Sequence, residues 1–340
     1  MKRALVIQTA FLGDVILTLP LVQVLKKSVP GILIDVLVIP ETSSVLKNHP
    51  DIAEALVFDK HHRHKSPPAF LRLMRELRAR RYDIVLSPHR SLRSCLLSSG
   101  TRAEVRVGFD NSALRRSFTD LMPWRFGVHD VDRSLSLLAP LGITAGREAP
   151  RLYPGDEEAK QVDDFLARNG IALPYAVIAP GTVWETKRYP VERMSEVAGR
   201  LLRRFGSVIL VGGKKDIGLV KSFAGNGEGV VPAIGEFPVM TSAEIIRRAS
   251  LLIANDSAPV HMASAFNTPT VAIFGPTIRD FGFFPYHEKS VVIETNDLGC
   301  RPCTLHGGHS CPTRTFACMM RIMPEEVVRI AFELLEREDG

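Results

Sequence analysis

The sequence predicts an α/β fold of two domains, each built on a parallel β-sheet covered by helices. Short apolar runs alternate with helical patterns along most of the chain, which is typical of parallel sheets with crossover helices. Some runs, such as Ile32–Ile39, are apolar at nearly every position, as in strands covered on both faces. At 340 residues the chain also exceeds what one hydrophobic core usually serves.

The first half of the chain contains four pairs of a strand followed by a helix. This order predicts a parallel sheet in a first domain, residues 1–155. The predicted strands are Ala4–Gln8, Ile32–Ile39, Ala55–Asp59 and Ile84–Ser87, and the predicted helices are Val15–Lys27, Ser43–Asn48, Pro68–Arg80 and Leu92–Ser98.

The domain boundary is predicted near Pro150–Glu158, where the composition turns to proline, glycine, arginine and acidic residues. A second series of strands and helices makes residues 156–322 a second Rossmann-like domain. Residues 323–340 are predicted to form a last helix, for which Pro324 is a typical starting signal. The strands are Tyr175–Ala179, Val208–Val211, Leu251–Ala254 and Thr270–Phe274, and the helices are Val191–Phe205, Ser242–Ala249, Pro259–Phe266 and Glu325–Arg337.

Two such domains are expected to face each other across a cleft. Ligands of open α/β sheets bind beyond the carboxyl ends of the strands. The residues that directly follow strands are therefore the candidates for binding and catalysis.

The composition is that of a folded globular protein, with 45% hydrophobic and 24% charged residues. No apolar stretch approaches the roughly 20 residues needed to cross a bilayer, and Gln8 and Asp14 interrupt the apolar start. We therefore expect neither a signal peptide nor a membrane span. Four of the five cysteines cluster near the end of the sequence, unlike a secreted disulfide scaffold, so we expect a cytoplasmic protein.

The formal charge of +6 predicts attraction to anions such as nucleotides, phosphorylated glycolipids or nucleic acid. A non-catalytic nucleic-acid or anion-binding protein is thus an alternative to an enzyme. Against it, aromatic residues make up only 7% of the chain, and no basic stripe is interleaved with aromatics. We expect no nucleic-acid partner.

Asp14 is the first candidate for catalysis, because it directly follows the first strand and opens a helix. An exposed carboxylate at this place is suited to take the proton of an attacking hydroxyl as a general base. The alternative is a helix N-cap, in which the carboxylate accepts hydrogen bonds from free amides.

The loop after the first strand of the second domain has the features of a diphosphate site. Gly181 permits close approach of the backbone, Thr182 offers a hydroxyl, and Lys187 or Arg188 supplies positive charge. The alternative is a solvated loop with two surface cations.

The strongest candidate is the strand end and helix start at Ile253–Ala263. Free amides at this helix start, together with the Ser257 hydroxyl, form an anion site favoured by the helix dipole. Asp256 would repel a phosphate at contact distance, so it is expected to bind sugar hydroxyls, to orient its neighbours or to cap the helix. His261, one turn in, is a structural histidine or a phosphate contact.

Two further strand ends carry polar residues. Gly275 and Thr277 are expected to face the cleft. Asp216 is placed to bind ribose hydroxyls, with a charged surface turn as the alternative.

Two phosphate-binding motifs are absent from the sequence. Neither G-x-x-x-x-G-K-[ST] nor G-x-G-x-x-G occurs, which argues against an ATPase and an ordinary dehydrogenase. The segment His129–Arg133 contains a D-x-D of the kind that some metal-dependent transferases use, but Asp130 also suits a helix start.

The four clustered cysteines have spacings that suit a structural zinc ion, a reduced cluster or a disulfide. Any such group is expected to lie away from the chemistry, and we expect no metal at the active site. The residues are Cys300, Cys303, Cys311 and Cys318, with His306 and His309 between them.

Together these motifs resemble glycosyltransferase family 9, the lipopolysaccharide heptosyltransferases, over nearly the whole chain. The cysteine-rich tail is similar to the subgroup usually called heptosyltransferase II, which adds the second heptose. The motifs are GDVILTLP at Gly13–Pro20, KRYP at Lys187–Pro190, NDS at Asn255–Ser257 followed by His261, and FGPT at Phe274–Thr277.

The resemblance implies a GT-B fold, an inverting mechanism without a cofactor, and ADP-heptose bound by the second domain. It implies that Asp14 is the base, that Lys187 contacts the diphosphate, and that Asp256 and Ser257 hold the donor. Thr182 and Met240 match positions that line the nucleotide site in the family. One departure is Ala258–Pro259, where family members commonly carry glycine, because proline removes an amide from the helix start.

The resemblance also implies an acceptor bound by the first domain, namely lipid A-Kdo, at the inner leaflet of the inner membrane. The basic stretch His61–Lys65, which includes Arg63, is a candidate for binding this acidic glycolipid together with Arg90 and Arg93. The alternative for these charges is a solvated face. A GT-B transferase with another nucleotide sugar is the nearest alternative function.

Overall fold

The computed structural model describes residues 2–337. It contains two compact units, Met1–Tyr153 and Pro154–Gly340, and the predicted boundary between residues 155 and 156 lies beside this division. Of the predicted last helix, residues 338–340 lie outside the described residues.

The first unit is a six-stranded sheet with helices. Its strands are β1 (Arg3–Ile7), β2 (Leu33–Val38), β3 (Glu54–Val57), β4 (Ile84–Leu86), β5 (Val105–Phe109) and β6 (Asp120–Met122), and its α-helices are α1 (Leu12–Ser28), α2 (Pro67–Ala79), α3 (Leu92–Thr101) and α4 (Asp130–Ser136). The strand order is β3-β2-β1-β4-β5-β6, and the described pairs run parallel.

The second unit repeats this plan. Its strands are β7 (Ala176–Ala179), β8 (Val208–Leu210), β9 (Val230–Pro232), β10 (Leu251–Asn255), β11 (Thr270–Phe274) and β12 (Ser290–Glu294), and its α-helices are α5 (Asp156–Arg168), α6 (Val191–Phe205), α7 (Val239–Arg248), α8 (Ala258–Phe266), α9 (Ala317–Met320) and α10 (Pro324–Glu336). The order is β12-β11-β10-β7-β8-β9, again with parallel pairs.

The hydrophobic pattern explains these elements. The central strands β4, β7, β10 and β11 are buried at every position, as strands covered on both faces must be. Helix α6 instead buries one face, with Met194, Val197 and Leu201 at helical spacing against the sheet. Apolar burial on both sides of each sheet thus fixes the strands that carry the site loops.

The strand order creates one topological switch point in each unit. In the first unit the chain proceeds outward from β1 to β3 and from β4 to β6, so β1 and β4 are neighbours at the switch point. In the second unit β7 and β10 are the corresponding neighbours. Ligands of open α/β sheets bind beyond the carboxyl ends of such strands, which marks the loops after β1, β4, β7 and β10.

The structure differs from the predicted elements in several places. The predicted helix Ser43–Asn48 is a 3₁₀ segment, Pro40–Leu46, and α1 begins at Leu12 rather than Val15. Strands β5, β6, β9 and β12 and helices α4, α5 and α9 were not predicted, because most of these elements are short or partly polar. Among residues 2–337, no helix is long and apolar enough to cross a membrane.

Candidate active site

Asp14 lies at the switch point of the first unit, in the first turn of α1 directly after β1. The N-cap of this helix is Phe11, so the N-cap interpretation of Asp14 is wrong. The carboxylate is half-buried and sits where the helix dipole favours negative charge. The main-chain oxygen of Asp14 accepts a hydrogen bond of 2.8 Å from the Thr18 hydroxyl, which strengthens this first turn.

Two arginines and a tryptophan lie near Asp14. The guanidinium carbons of Arg90 and Arg133 each lie 4.6 Å from the centre of the Trp124 ring. Arg90 follows β4, and Arg133 belongs to α4, where its Nε lies 3.3 Å from a carboxylate oxygen of Asp130. The Arg133 side chain is only 2% exposed, so Asp130 and the Trp124 ring, rather than water, stabilise its charge.

The charges of this arginine–tryptophan cluster are mutually dependent. Burial lowers the pKa of Arg90 and of Arg133, and the negative charges of Asp130 and Asp14 oppose this effect at both arginines. Burial raises the pKa of Asp130, and the two arginines oppose that shift. Asp14 is therefore part of an electrostatic unit of two carboxylates and two guanidinium groups.

A hydrogen-bonded cluster joins the loop after β1 to the loop after β4. The Nδ1 atom of His89 lies 2.8 Å from the Thr9 hydroxyl and 2.9 Å from the Ser94 hydroxyl, and these two hydroxyls are 3.0 Å apart. Burial lowers the pKa of His89 to about 4, so the ring is neutral at physiological pH. The cluster fixes the loop that leads into α1, the helix that carries Asp14, to the loop that carries Arg90.

The other predicted acceptor residues, Arg63 and Arg93, are exposed. Arg63 follows β3, and its main-chain amide donates to the Asp59 carboxylate. Arg93 is exposed in the first turn of α3. Because parallel strands end at one edge of the sheet, Arg63 lies at the same edge as Arg90.

Lys187 and Asp256 meet at the switch point of the second unit. Lys187 lies in the loop after β7, and Asp256 directly follows β10. The ammonium Nζ of Lys187 lies 2.6 Å from a carboxylate oxygen of Asp256. The Thr277 hydroxyl donates to the same oxygen at 2.6 Å. The Lys187 side chain is 15% exposed and the Asp256 side chain 6%, so the ion pair is largely desolvated. Asp256 therefore orients Lys187.

Asn255 holds the loop of residues 180–189 in place. Its side-chain Nδ2 donates to the Pro180 carbonyl at 2.9 Å, and its Oδ1 accepts from the Tyr189 amide at 2.9 Å. The side chain is fully buried, so its amide satisfies both ends of the loop that bears Lys187.

The start of α8 offers fewer amide donors than an ordinary helix start. Ser257 is the N-cap, and its hydroxyl donates to the Asn255 carbonyl at 3.2 Å. Pro259 lacks an amide hydrogen, and the Val260 amide donates to the Ser257 carbonyl. Ala258, the first residue of α8, retains its amide hydrogen. His261 is buried within α8.

The remaining predicted donor residues lie around the same loop or within the core. The Thr182 hydroxyl donates to the Trp184 carbonyl at 2.7 Å. Asp216 follows β8 and packs against Gly181, where an added Cβ would lie 2.3 Å from its carboxylate. Met240 is only 2% exposed near the start of α7.

The four clustered cysteines have reduced thiols in the structure. Burial raises the pKa of Cys303, and raises that of Cys318 to about 11, with charges of the other clustered thiols contributing to both shifts. Among residues 2–337, no group of three histidine, cysteine or acidic side chains is arranged to hold a metal ion.

Comparison with known proteins identifies the family. The model described as glycosyltransferase family 9 (heptosyltransferase) matches residues 70–309. The chain belongs to glycosyltransferase family 9. The predicted enzyme class, a glycosyltransferase, is confirmed.

Individual relatives of this family 9 enzyme support the assignment. Lipopolysaccharide heptosyltransferase 3 of Escherichia coli is 31% identical over 284 residues, which are 80% of this chain and 83% of that protein. The crystal structure of a glycosyl transferase family 9 protein from Veillonella parvula DSM 2008 matches with a TM-score of 0.88 at 28% identity, covering 99% of this chain and 98% of that chain. An E. coli heptosyltransferase solved with ADP-2-deoxy-2-fluoro heptose matches in fold, with a TM-score of 0.72 at 19% identity, covering 97% and 99%.

These matches confirm the predicted GT-B fold class of two Rossmann-like domains and a heptosyltransferase of lipopolysaccharide core biosynthesis. Lipopolysaccharide heptosyltransferases 1, 2 and 3 are all among the similar proteins, so the predicted recognition as a heptosyltransferase is confirmed and no single subgroup is distinguished.

Sequence reasoning missed three residues that lie beside the candidate site, namely Trp124, Arg133 and His89. The scarcity of tryptophan was one available signal, because the chain has only two. Trp124 lies beside the arginines, and Trp184 lies in the loop that bears Lys187. The pairing of Asp130 with Arg133 at helical spacing was a second signal.

Proposed function

We propose that this family 9 enzyme transfers heptose from ADP-heptose to the inner-core region of lipopolysaccharide, with inversion at the anomeric carbon. The observation that carries the proposal is that each unit places a charged constellation at its switch point. Asp14 with two arginines stands in the first unit, and the Lys187–Asp256 pair stands in the second.

We assign donor binding to the second unit. Lys187 neutralises the charge of the diphosphate. Asp256 holds Lys187 in place through their ion pair, and the Thr277 hydroxyl orients Asp256. The Ala258 amide adds a donor at the positive end of α8. The structure of the E. coli heptosyltransferase named above contains ADP-2-deoxy-2-fluoro heptose, which makes an ADP-linked heptose the first donor to test.

The other predicted donor residues surround this diphosphate position. At the start of α8, Ser257 binds sugar or phosphate oxygens and Asp256 binds sugar hydroxyls. Asp216 binds ribose hydroxyls beside Gly181. Thr182 borders the nucleotide, and the buried Met240 and His261 support the walls of the site.

We assign acceptor binding to the first unit. The acceptor is lipid A-Kdo, whose carboxylates and phosphates suit Arg90, Arg93 and Arg63 at one edge of the sheet. Peripheral contact with the inner leaflet of the inner membrane brings the enzyme to this lipid.

In the proposed mechanism the acceptor hydroxyl attacks the anomeric carbon, and its proton passes to the Asp14 carboxylate. The new glycosidic bond forms as the bond from that carbon to the diphosphate oxygen breaks, and ADP carries away the electron pair. Attack from the face opposite ADP inverts the configuration. Lys187 stabilises the charge that develops on the leaving diphosphate.

The test of donor choice is a transfer assay with purified enzyme, a truncated acceptor that ends in Kdo, and a panel of nucleotide sugars. We expect transfer from ADP-heptose, with ADP released in equal amount, and little transfer from UDP or GDP sugars. Efficient transfer from another nucleotide sugar, with none from ADP-heptose, would refute the donor assignment. Product analysis by NMR reports the anomeric configuration.

Variants test the donor-site assignment separately. Lys187→Ala is expected to raise the Kd for ADP by about tenfold or more, because a charge-assisted contact contributes about 1.5–3 kcal/mol. Lys221→Ala, which removes a lysine elsewhere in the same unit, is the matched control. Unchanged ADP affinity in Lys187→Ala would remove Lys187 from the diphosphate site.

A further inference from the structure

The segment that contains the four cysteines, Cys300–Cys318, touches the loop that bears Lys187. We call these residues the cysteine segment. Its hydrogen bonds to this loop are made with Thr186, the residue directly before Lys187. The Thr186 hydroxyl donates to the Gly308 carbonyl at 3.0 Å and accepts from the Gly308 amide at 2.7 Å. The Thr186 amide also donates to the Gly308 carbonyl at 3.0 Å.

Gly307 lies against the same loop. It has a φ of +86°, and a Cβ there would lie 3.1 Å from Lys187 Cγ, 3.1 Å from Trp184 Cβ and 3.2 Å from Thr186 Oγ1. The His309 ring packs 5.3 Å from the Trp184 ring, between centroids. Residues 307–309 therefore contact three of the four residues Trp184–Lys187, namely Trp184, Thr186 and Lys187.

The cysteine segment is itself attached to the second site loop. The Cys303 amide donates to the Pro276 carbonyl at 3.0 Å, and Gly275 packs against the Met319 side chain just beyond the segment. Thr277, in the same loop as Gly275 and Pro276, holds Asp256. The cysteine segment thus contacts both the loop that bears Lys187 and the loop whose Thr277 holds Asp256.

We propose that the Gly307–Gly308 turn and Thr186 are positioning residues for donor binding, which act by holding the Lys187 ammonium where the diphosphate binds. This inference rests on the proposed role of Lys187. The Lys187 stem is long and flexible, so fixing its backbone and Cγ reduces the conformational entropy lost on binding an anion. The cysteine-rich tail is then part of the donor site, although the sequence places it away from the chemistry.

The first test is Thr186→Val, which removes the hydroxyl and keeps the side-chain shape. It deletes two hydrogen bonds that hold the residue before Lys187, so we expect the Kd for ADP to rise about tenfold. The kcat at saturating donor should change less than KM. Thr186→Ser, which restores the hydroxyl, should recover most of the ADP affinity. Binding is measured on the full chain by calorimetry with ADP.

The second test is Gly307→Ala, whose methyl group displaces the Lys187 stem. We expect a similar loss of ADP affinity. Gly170→Ala is the matched control, because Gly170 also has a positive φ, +63°, but nothing within 4 Å of an added Cβ. The control should lower Tm without changing the Kd for ADP, which separates backbone strain from positioning.

A double-mutant cycle decides whether Thr186 acts through Lys187. Adding Thr186→Val to Lys187→Ala should not weaken ADP binding further. An equal additional loss in that background would overturn the inference, as would normal ADP affinity in both Thr186→Val and Gly307→Ala when Lys187→Ala binds weakly. Normal affinity in Lys187→Ala would instead refute the proposed function of Lys187 and, with it, the inference.

Discussion

Trp124 shows how a single side chain can organise charges that repel one another. Two guanidinium groups of like charge lie on the same indole ring, each 4.6 Å from its centre. Asp130 and Asp14 offset the mutual repulsion of the two arginines, and the indole ring makes a cation–π contact with each. In the proposed function, this arrangement presents Arg90, which is half-buried, to an anionic acceptor at the edge of the sheet that carries Asp14.

Replacing Trp124 tests this role. Trp124→Leu should raise the KM for the acceptor about tenfold, because two cation–π contacts of about 0.5–1 kcal/mol each are lost. Trp124→Phe keeps an aromatic face and should lose less. Acceptor titrations at saturating ADP-heptose measure both variants, with ADP affinity as the control. A leucine variant with normal acceptor KM would contradict the role.

His89 makes stability depend on pH. Its folded-state pKa is about 4, below the ordinary value of 6.5, so between these values only the unfolded chain binds a proton. The free energy of unfolding therefore falls as pH drops from 6.5 toward 4 and gains nothing further from this group above 6.5. His49, also lowered to about 4 by burial, adds a second contribution of the same sign.

The expected result for His89→Gln is a shallower decline of stability between pH 6.5 and 4 than in the unmodified protein. Urea denaturation midpoints across this range measure it. His61→Gln, at an exposed position, is the matched control and should keep the original slope. Identical slopes for His89→Gln and the control would show that His89 is not neutral in the folded state.

At the scale of elements, the site depends on loops that are tied to neighbouring strands. Asn255 at the end of β10 binds both ends of the loop after β7, and Asp256 and Thr277 join this loop to the one after β11. Buried amides are suited to this task because they donate and accept without charge.

Asn255→Asp tests the attachment of this loop. The carboxylate still accepts from Tyr189, but its second oxygen faces the Pro180 carbonyl without a proton to donate, and its charge is buried. We expect a loss of about 2–4 kcal/mol in unfolding free energy and weaker ADP binding. Asn111→Asp, the same change at an exposed residue of the first unit, should alter neither. Wild-type stability in Asn255→Asp would contradict the attachment.

The element pattern also explains what the sequence allows to be predicted. Strand β7 is apolar throughout and β10 is apolar up to Asn255, so their burial could be predicted from the sequence alone. Strand β6 and helix α4 are short and carry too few apolar residues to show a hydrophobic periodicity. Their positions depend on pairing with β5 and on packing against α1.

The candidate site was predicted in the same uneven way. Lys187, Asp256 and Ser257 follow strand ends, so strand prediction places them at the switch point. The burial of Arg133 and its contact with Trp124 depend on tertiary packing, which no local pattern encodes. The contact of Gly308 with Thr186 joins residues 122 positions apart and is likewise visible only in the structure.

At the scale of the whole molecule, the net charge of +6 favours contact with an anionic lipid surface. Binding to vesicles that contain anionic lipid should weaken as salt shortens the range of the attraction, with a Debye length of about 10 Å at 0.1 M and about 3 Å at 1 M. Cosedimentation measures this, with neutral vesicles as the control. Arg63→Glu should weaken binding further, and salt-independent binding would contradict an electrostatic attachment.

The central claim is that Asp14 removes the proton from the acceptor in a heptosyl transfer. The most direct measurement is the initial rate of transfer from ADP-heptose to a Kdo-terminated acceptor, compared between the unmodified enzyme and Asp14→Asn at saturating substrates. The account predicts a fall of about 10²–10⁴-fold in rate, the usual contribution of a general base, with ADP affinity unchanged. A rate near that of the unmodified enzyme would contradict it.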